Sequence, residues 1–119
     1  MKRKIITISE QESVYLPSNG NVWMAEYEIA DLFQVFYSAI TANRKAIFKS
    51  GVLRKEDVCR EIKTSKGYIE EYNLEMIIAL AFRIKSYRTV IFRRWLIRKL
   101  SKAEIPEMLI MAIQNPILN

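Results

Sequence analysis

The segment from Tyr37 to Lys49 carries the clearest chemistry this sequence offers. Turned at 100° per residue as a helix, it gathers Ser38, Thr41, Ala42, Lys45 and Lys49 on one face, with Tyr37 and Phe48 along an edge. Small side chains allow close approach to a duplex, and Ser or Thr hydroxyls can bond base edges or phosphates. Two hydroxyls, one methyl and two lysines therefore suit a DNA major groove, although an ordinary solvated helix face has a similar composition. The opposite sector holds Phe36, Ile40, Asn43 and Ile47, which read as the buried side. Arg44 falls near the edge of that sector, where its long stem can carry the guanidinium outward.

Groups for other chemistries are scarce. The chain has no histidine and a single cysteine, Cys59, so neither a zinc site nor an internal disulfide can be built from them. Gly-rich phosphate loops are absent, and no paired carboxylates share a face. Glu70 and Glu71, like Glu56 and Asp57, are neighbours in segments that read as extended, so each pair points to opposite sides of a strand. The expectation is a protein that is not an enzyme and needs no cofactor or metal.

The elements that must position the polar face come from Val22 to Gly51, which reads as a helix-turn-helix. A helix from about Met24 to Phe33 buries Ile29 and Phe33 at i, i+4 spacing, and Ala30 is small where the second helix must cross closely. Gln34-Val35-Phe36 matches a turn of roughly three or four residues, with Val35 closing the angle. Two features depart from the usual pattern. Gln34 stands where glycine is common, at a cost of about 1 kcal/mol for the left-handed conformation. Phe36 stands where Ser or Thr usually caps the second helix, with Ser38 the alternative cap if that helix starts a turn later. Gly51 then reads as the residue that stops it.

Composition places the remainder. A chain of 119 residues with half its residues apolar, three Gly and three Pro fits one domain, mainly α with a small β component. The net charge of +6 favours an anionic partner, and eight basic residues with no acidic ones lie between Arg83 and Lys102. Met1-Lys2-Arg3-Lys4 begins like a secretory leader, but only Ile5, Ile6 and Ile8 follow. Nowhere do 18 apolar residues run together, so a cytoplasmic protein with no membrane partner is expected.

In chain order, residues 1–21 read as an N-terminal arm and β segment, with Lys4–Ile8 and Ser13–Leu16 as strands and Ser18–Asn21 as a turn. Lys2, Arg3 and Lys4 read as a frayed start or as a phosphate-touching arm. Residues 22–51 form the helix-turn-helix. Residues 56–72 supply VCREIK, the turn Thr64–Gly67 and GYIEEY, a hairpin that follows a helix-turn-helix in the order of a winged helix. Lys63 and Lys66 at its tip could meet a phosphate or the minor groove. Residues 73–100 are core helices: Asn73 caps an all-apolar helix over Leu74–Ile84, and Ser86 caps Tyr87–Leu100. On that last helix Val90, Phe92, Leu96, Ile97 and Leu100 form the expected buried sector. Arg88, Arg94, Arg98 and Lys99 form the expected phosphate-facing one, together with Lys102. Ile91 and Trp95 are set among the arginines; Trp95 there could stack on a base or a partner, but a core-filling role is the stronger reading. Residues 101–119 read as a C-terminal helix from Pro106, apolar through Met108–Ile113 and fit to hold a homodimer together.

The order VWM–EIADLF–helix–KSGVL–VCREI–hairpin–EYNLEMIIALAFRIKS–FRRW resembles the RhuM-type virulence-associated proteins and their short bacterial relatives on mobile elements, from about Lys2 to Leu100. The resemblance implies a DNA-binding module without catalytic residues. The sequence therefore predicts a winged helix-turn-helix-like single domain whose partner is double-stranded DNA, bound as a transcriptional or mobile-element regulator. The alternative is a protein-protein interaction module that keeps the same fold.

Overall fold

Strand pairing decides where the first helix begins. The computed structural model describes residues 3–101. In it Trp23–Ala25 is a strand, β3, rather than the first turn of a helix; we number β1 (Thr7–Ile8), β2 (Val14–Tyr15) and β3 in chain order. α1 follows over Glu26–Phe33, two residues later than its periodicity suggested. Met24 is fully buried either way, so apolar spacing could not separate the two conformations. Ala25 offers no side-chain cap, and Glu28 supplies half of a capping box by accepting the Ala25 N–H at 2.9 Å.

Gln34 takes the left-handed conformation (φ 54°, ψ 51°) that ends α1, and Val35 packs against the core, both as expected. α2 runs over Tyr37–Ser50. Its cap residue Phe36 is extended (φ −67°, ψ 148°) and makes no side-chain cap; Ser38 does not replace it. Phe36 is 85% exposed, which overturns its placement beside Ile40. The 100° rotation applies only within the helix, and Phe36 lies just before it. Ile40 and Ile47 are buried as expected, and Gly51 closes α2 at φ +79°.

A short helix, α3 (Lys55–Val58), precedes β4 (Cys59–Thr64) and β5 (Gly67–Asn73). Glu56 and Asp57 are therefore helical, and Val58 is buried at the helix end instead of opening a strand. The hairpin pairs Thr64 with Gly67 around Ser65-Lys66, and Gly67 adopts φ +121°, a value closed to other residues. β5 is central: the sheet order is β3-β5-β4, all antiparallel, with Met24 opposite Tyr72 and Cys59 on the other side of Tyr72.

α4 (Leu74–Arg83) is capped by Asn73, whose side chain accepts the Met76 N–H at 3.1 Å. Met76, Ile77, Leu80 and Ala81 are buried, whereas Ile78, Ala79 and Phe82 stay partly exposed, so burial is one-sided rather than all-round. α5 (Tyr87–Leu100) starts at a Ser86–Thr89 capping box. Ser86 Oγ also donates to the Phe33 carbonyl at 2.9 Å, tying the start of α5 to the end of α1. Arg93 donates to the Ala81 carbonyl at 2.8 Å and satisfies the end of α4.

The buried side of α5 differs from expectation. Ile91 and Phe92 are buried with Thr89, while Ile97 is exposed and Val90, Leu96 and Leu100 are intermediate. The helix packs mainly on α1, α4 and β2, and those neighbours select the face. Trp95 fills core space beside Phe92, their ring centroids 5.6 Å apart, and Phe92 meets Phe33 edge-on at 5.6 Å.

From Arg3 onward the N-terminal segment is anchored. Arg3 pairs with Glu28 at 2.9 Å and with buried Glu71 at 2.7 Å, and donates to the Trp23 carbonyl at 2.7 Å. Arg60 completes the group, bonding Glu71 at 2.9 Å while its guanidinium lies 4.5 Å from the Trp23 ring centroid. Arg3 is therefore committed to the sheet and does not extend as a phosphate-binding arm. Lys2, Lys102 and the apolar C-terminal helix expected to make the dimer lie outside the described residues.

Candidate nucleic-acid interface

The outward face of α2 is set by what its inward face must bury. With Ile40 and Ile47 in the core, Ser38, Ala42, Lys45 and Lys49 are exposed together, and Tyr37 is 54% exposed at the start of the helix. Among the described residues neither lysine takes part in an ion pair. These four residues and Tyr37 are thus exposed, as five of the α2 positions expected to meet DNA.

Thr41 and Arg44 belong elsewhere. The Thr41 hydroxyl donates to Glu26 Oε1 at 3.0 Å, and Arg44 forms an ion pair with Glu26 Oε2. Glu26 is buried in the first turn of α1, so it draws both side chains toward α1 and away from a ligand on the open face. Burial works to lower the Arg44 pKa, but the Glu26 carboxylate overcomes it and holds the guanidinium more firmly charged than usual. The Tyr37 hydroxyl is pushed up, first by burial and then by the charge of Glu26.

Lys63 and Lys66 are exposed at and beside the hairpin tip. Thr64 Oγ1 accepts the Lys66 N–H at 3.2 Å and donates to the Gly67 carbonyl at 3.0 Å, which fixes the loop that carries Lys66. The basic residues of α5 divide. Arg94, Arg98 and Lys99 are exposed, but Arg88 donates to the Ile8 and Ser9 carbonyls at 2.7 and 3.2 Å. It clamps the β1–β2 hairpin onto α5. That hairpin also receives Tyr87, whose hydroxyl donates to Glu12.

Glu26, Tyr27 and Tyr68 were not singled out from the sequence. Tyr27 shares with Asp31 the open side of α1, opposite Ile29 and Phe33, and is 55% exposed. Tyr68 is 69% exposed on β5, on the same side as Glu70 and Tyr72 by strand alternation. An aromatic residue on the polar side of an amphipathic element was the available signal. Glu26 offered none, because its partners lie 15 and 18 residues away on another helix.

Among the described residues no group of three His, Cys, Asp or Glu is placed to hold a metal ion, and no helix is long and apolar enough to cross a membrane. Comparison with family models, curated proteins and solved structures gave no match to this chain.

Proposed function

We propose that this chain is a sequence-specific DNA-binding protein of the winged helix-turn-helix kind, acting as a transcriptional or mobile-element regulator in the cytoplasm. The observation that carries this reading is the joint placement of two elements. α1, the left-handed turn at Gln34 and α2 leave Ser38, Ala42, Lys45 and Lys49 outward. The antiparallel sheet beside them extends a hairpin with Lys63 and Lys66 at its end. In this reading α2 enters the major groove, Ser38 and Lys45 reach base edges or phosphates, and Lys66 meets an adjacent phosphate. The resemblance to RhuM-type proteins points the same way, as does the basic balance of the chain. Pairing of two copies through residues 106–119 would set two such helices roughly 34–36 Å apart on a palindromic site. Catalysis has no part in this proposal.

Exposed Phe36 and its neighbour Tyr37 favour a second reading, a protein-protein interaction module on the same scaffold. Selection of bound duplexes from random-sequence DNA, followed by sequencing, separates the two. An enriched motif is expected. Failure to enrich any motif or to retard any duplex at low salt would replace the first reading with the second.

A further inference from the structure

A cleft of about 290 Å³ opens between the start of α1, the start of α2 and β5. Its walls include Tyr27, Tyr37, Tyr68 and Tyr72, with the carboxylates of Glu26 and Glu70 among them. Tyr72 is buried and forms the floor, while the other three rings are more than half exposed. Tyrosines presented together at a concave surface are a recognised feature of interaction sites.

The cleft has the chemistry of a cation receptor. Tyrosine ring faces carry negative potential. Neither carboxylate is saturated: each offers about four acceptor positions. Glu26 uses its oxygens for Thr41 and Arg44. Glu70 Oε1 accepts from Tyr72 at 3.3 Å, and Oε2 pairs with Lys55 at 2.5 Å. That last pair is solvent-exposed, and such pairs are weakly held, so a better-placed cation can compete with Lys55.

We infer that this cleft is a docking site for an arginine side chain presented by a protein partner. A guanidinium stacks flat on tyrosine while its N–H groups reach the Glu70 carboxylate at the rim, so ring and carboxylate are used at once. Lysine lacks the flat face, and a quaternary ammonium lacks donors. The inference does not depend on α2 binding DNA.

The test uses the whole chain and three probes: an end-blocked Gly-Arg-Gly peptide, its lysine counterpart and tetramethylammonium. NMR shifts of the tyrosine rings are followed as each probe is added. The arginine peptide is expected to shift the rings with a Kd of order millimolar, about three-fold or more tighter than lysine and tighter still than tetramethylammonium. Glu70→Gln and Tyr68→Leu, both at accessible positions, should each weaken the arginine peptide by about three-fold or more. Tyr87→Phe, on α5, should leave it unchanged. Absence of tyrosine shifts up to about 100 mM arginine peptide would overturn the inference, since even the weakest useful contact would register there. Equal binding of tetramethylammonium, or indifference to both Glu70→Gln and Tyr68→Leu, would overturn it as well.

Discussion

Glu26→Gln tests the internal and external roles of α2 in one variant. Glutamine keeps the length and one acceptor oxygen of the 8% exposed glutamate but removes its charge. The Thr41 bond at 3.0 Å can survive on that oxygen, whereas the ion pair with Arg44 cannot. Hydrogen bonds to charged groups contribute about 1.5–3 kcal/mol net. The Arg44 side chain is 21% exposed, and its stem lets the guanidinium swing into water, which recovers part of the loss. A destabilisation of about 1–2 kcal/mol follows, or a fall in Tm of roughly 4–10 °C for a domain of this size. Freed from Glu26, Arg44 adds one cation beside the open face of α2. If it reaches a phosphate, the slope of log K against log salt steepens by about 0.9, and non-specific DNA binding tightens. Thermal unfolding by circular dichroism and a salt series on one fixed duplex read the two effects separately. A Tm unchanged within a degree would refute the view that Glu26 holds Arg44 and α2 in place. A lowered Tm with an unchanged salt slope would instead show that this edge of α2 does not face DNA.

Three further outcomes are expected. Replacing Ser38 and Lys45 together by alanine should change sequence preference at fixed salt while leaving Tm within a few degrees, because both side chains are outward; a base contact of about 1–3 kcal/mol is at stake, and unchanged selectivity in the sequencing assay would remove α2 as the reader. Neutralising Arg94, Arg98 and Lys99 should weaken all duplexes alike and flatten the salt slope by about 0.9 for each residue that touches a phosphate; an unchanged slope would assign that edge of α5 to another partner. Gln34→Gly should raise stability by about 0.5–1 kcal/mol, since the left-handed turn favours glycine even though the Gln34 side-chain bond to the Asp31 carbonyl at 2.8 Å is lost. A lower midpoint in urea would mean that this bond outweighs the backbone strain.

Local signals were legible and distant ones were not. Asn73, Ser86 and Gly51 act within a few residues of themselves, so their roles as caps and stop could be read directly. The Thr64–Gly67 turn belongs to the same class. β3 is three residues long and owes its conformation to β5, almost fifty positions later, so no alternation could reveal it. Arg3, Arg44 and Arg88 read as free cations because their acceptors are Glu28 and Glu71, Glu26, and two backbone carbonyls of the β1–β2 hairpin, all remote in sequence. α5 is apolar on more than one side, and the positions of α1, α4 and β2 determine that Ile91 goes inward while Ile97 does not. For the open face of α2 the wheel placed Ser38, Ala42, Lys45 and Lys49 correctly. It erred on Thr41, which turns to Glu26 on α1, and on Phe36, where the helix had not yet begun.

The central position of β5 also dictates an order of events during synthesis. β3 has β5 as its partner, and α1 cannot be locked at its end until Ser86 reaches the Phe33 carbonyl, a separation of 53 residues. A nascent chain that has released only α1 and α2 from the ribosome therefore holds two short helices with Met24 and Phe33 still in search of cover. Contacts this far apart close slowly, because the intervening loop must first lose its freedom. The finished outward face of α2 can arise only after β5 and the start of α5 have emerged, so a truncated translation product would carry the same helix sequence without the surface it forms in the complete fold.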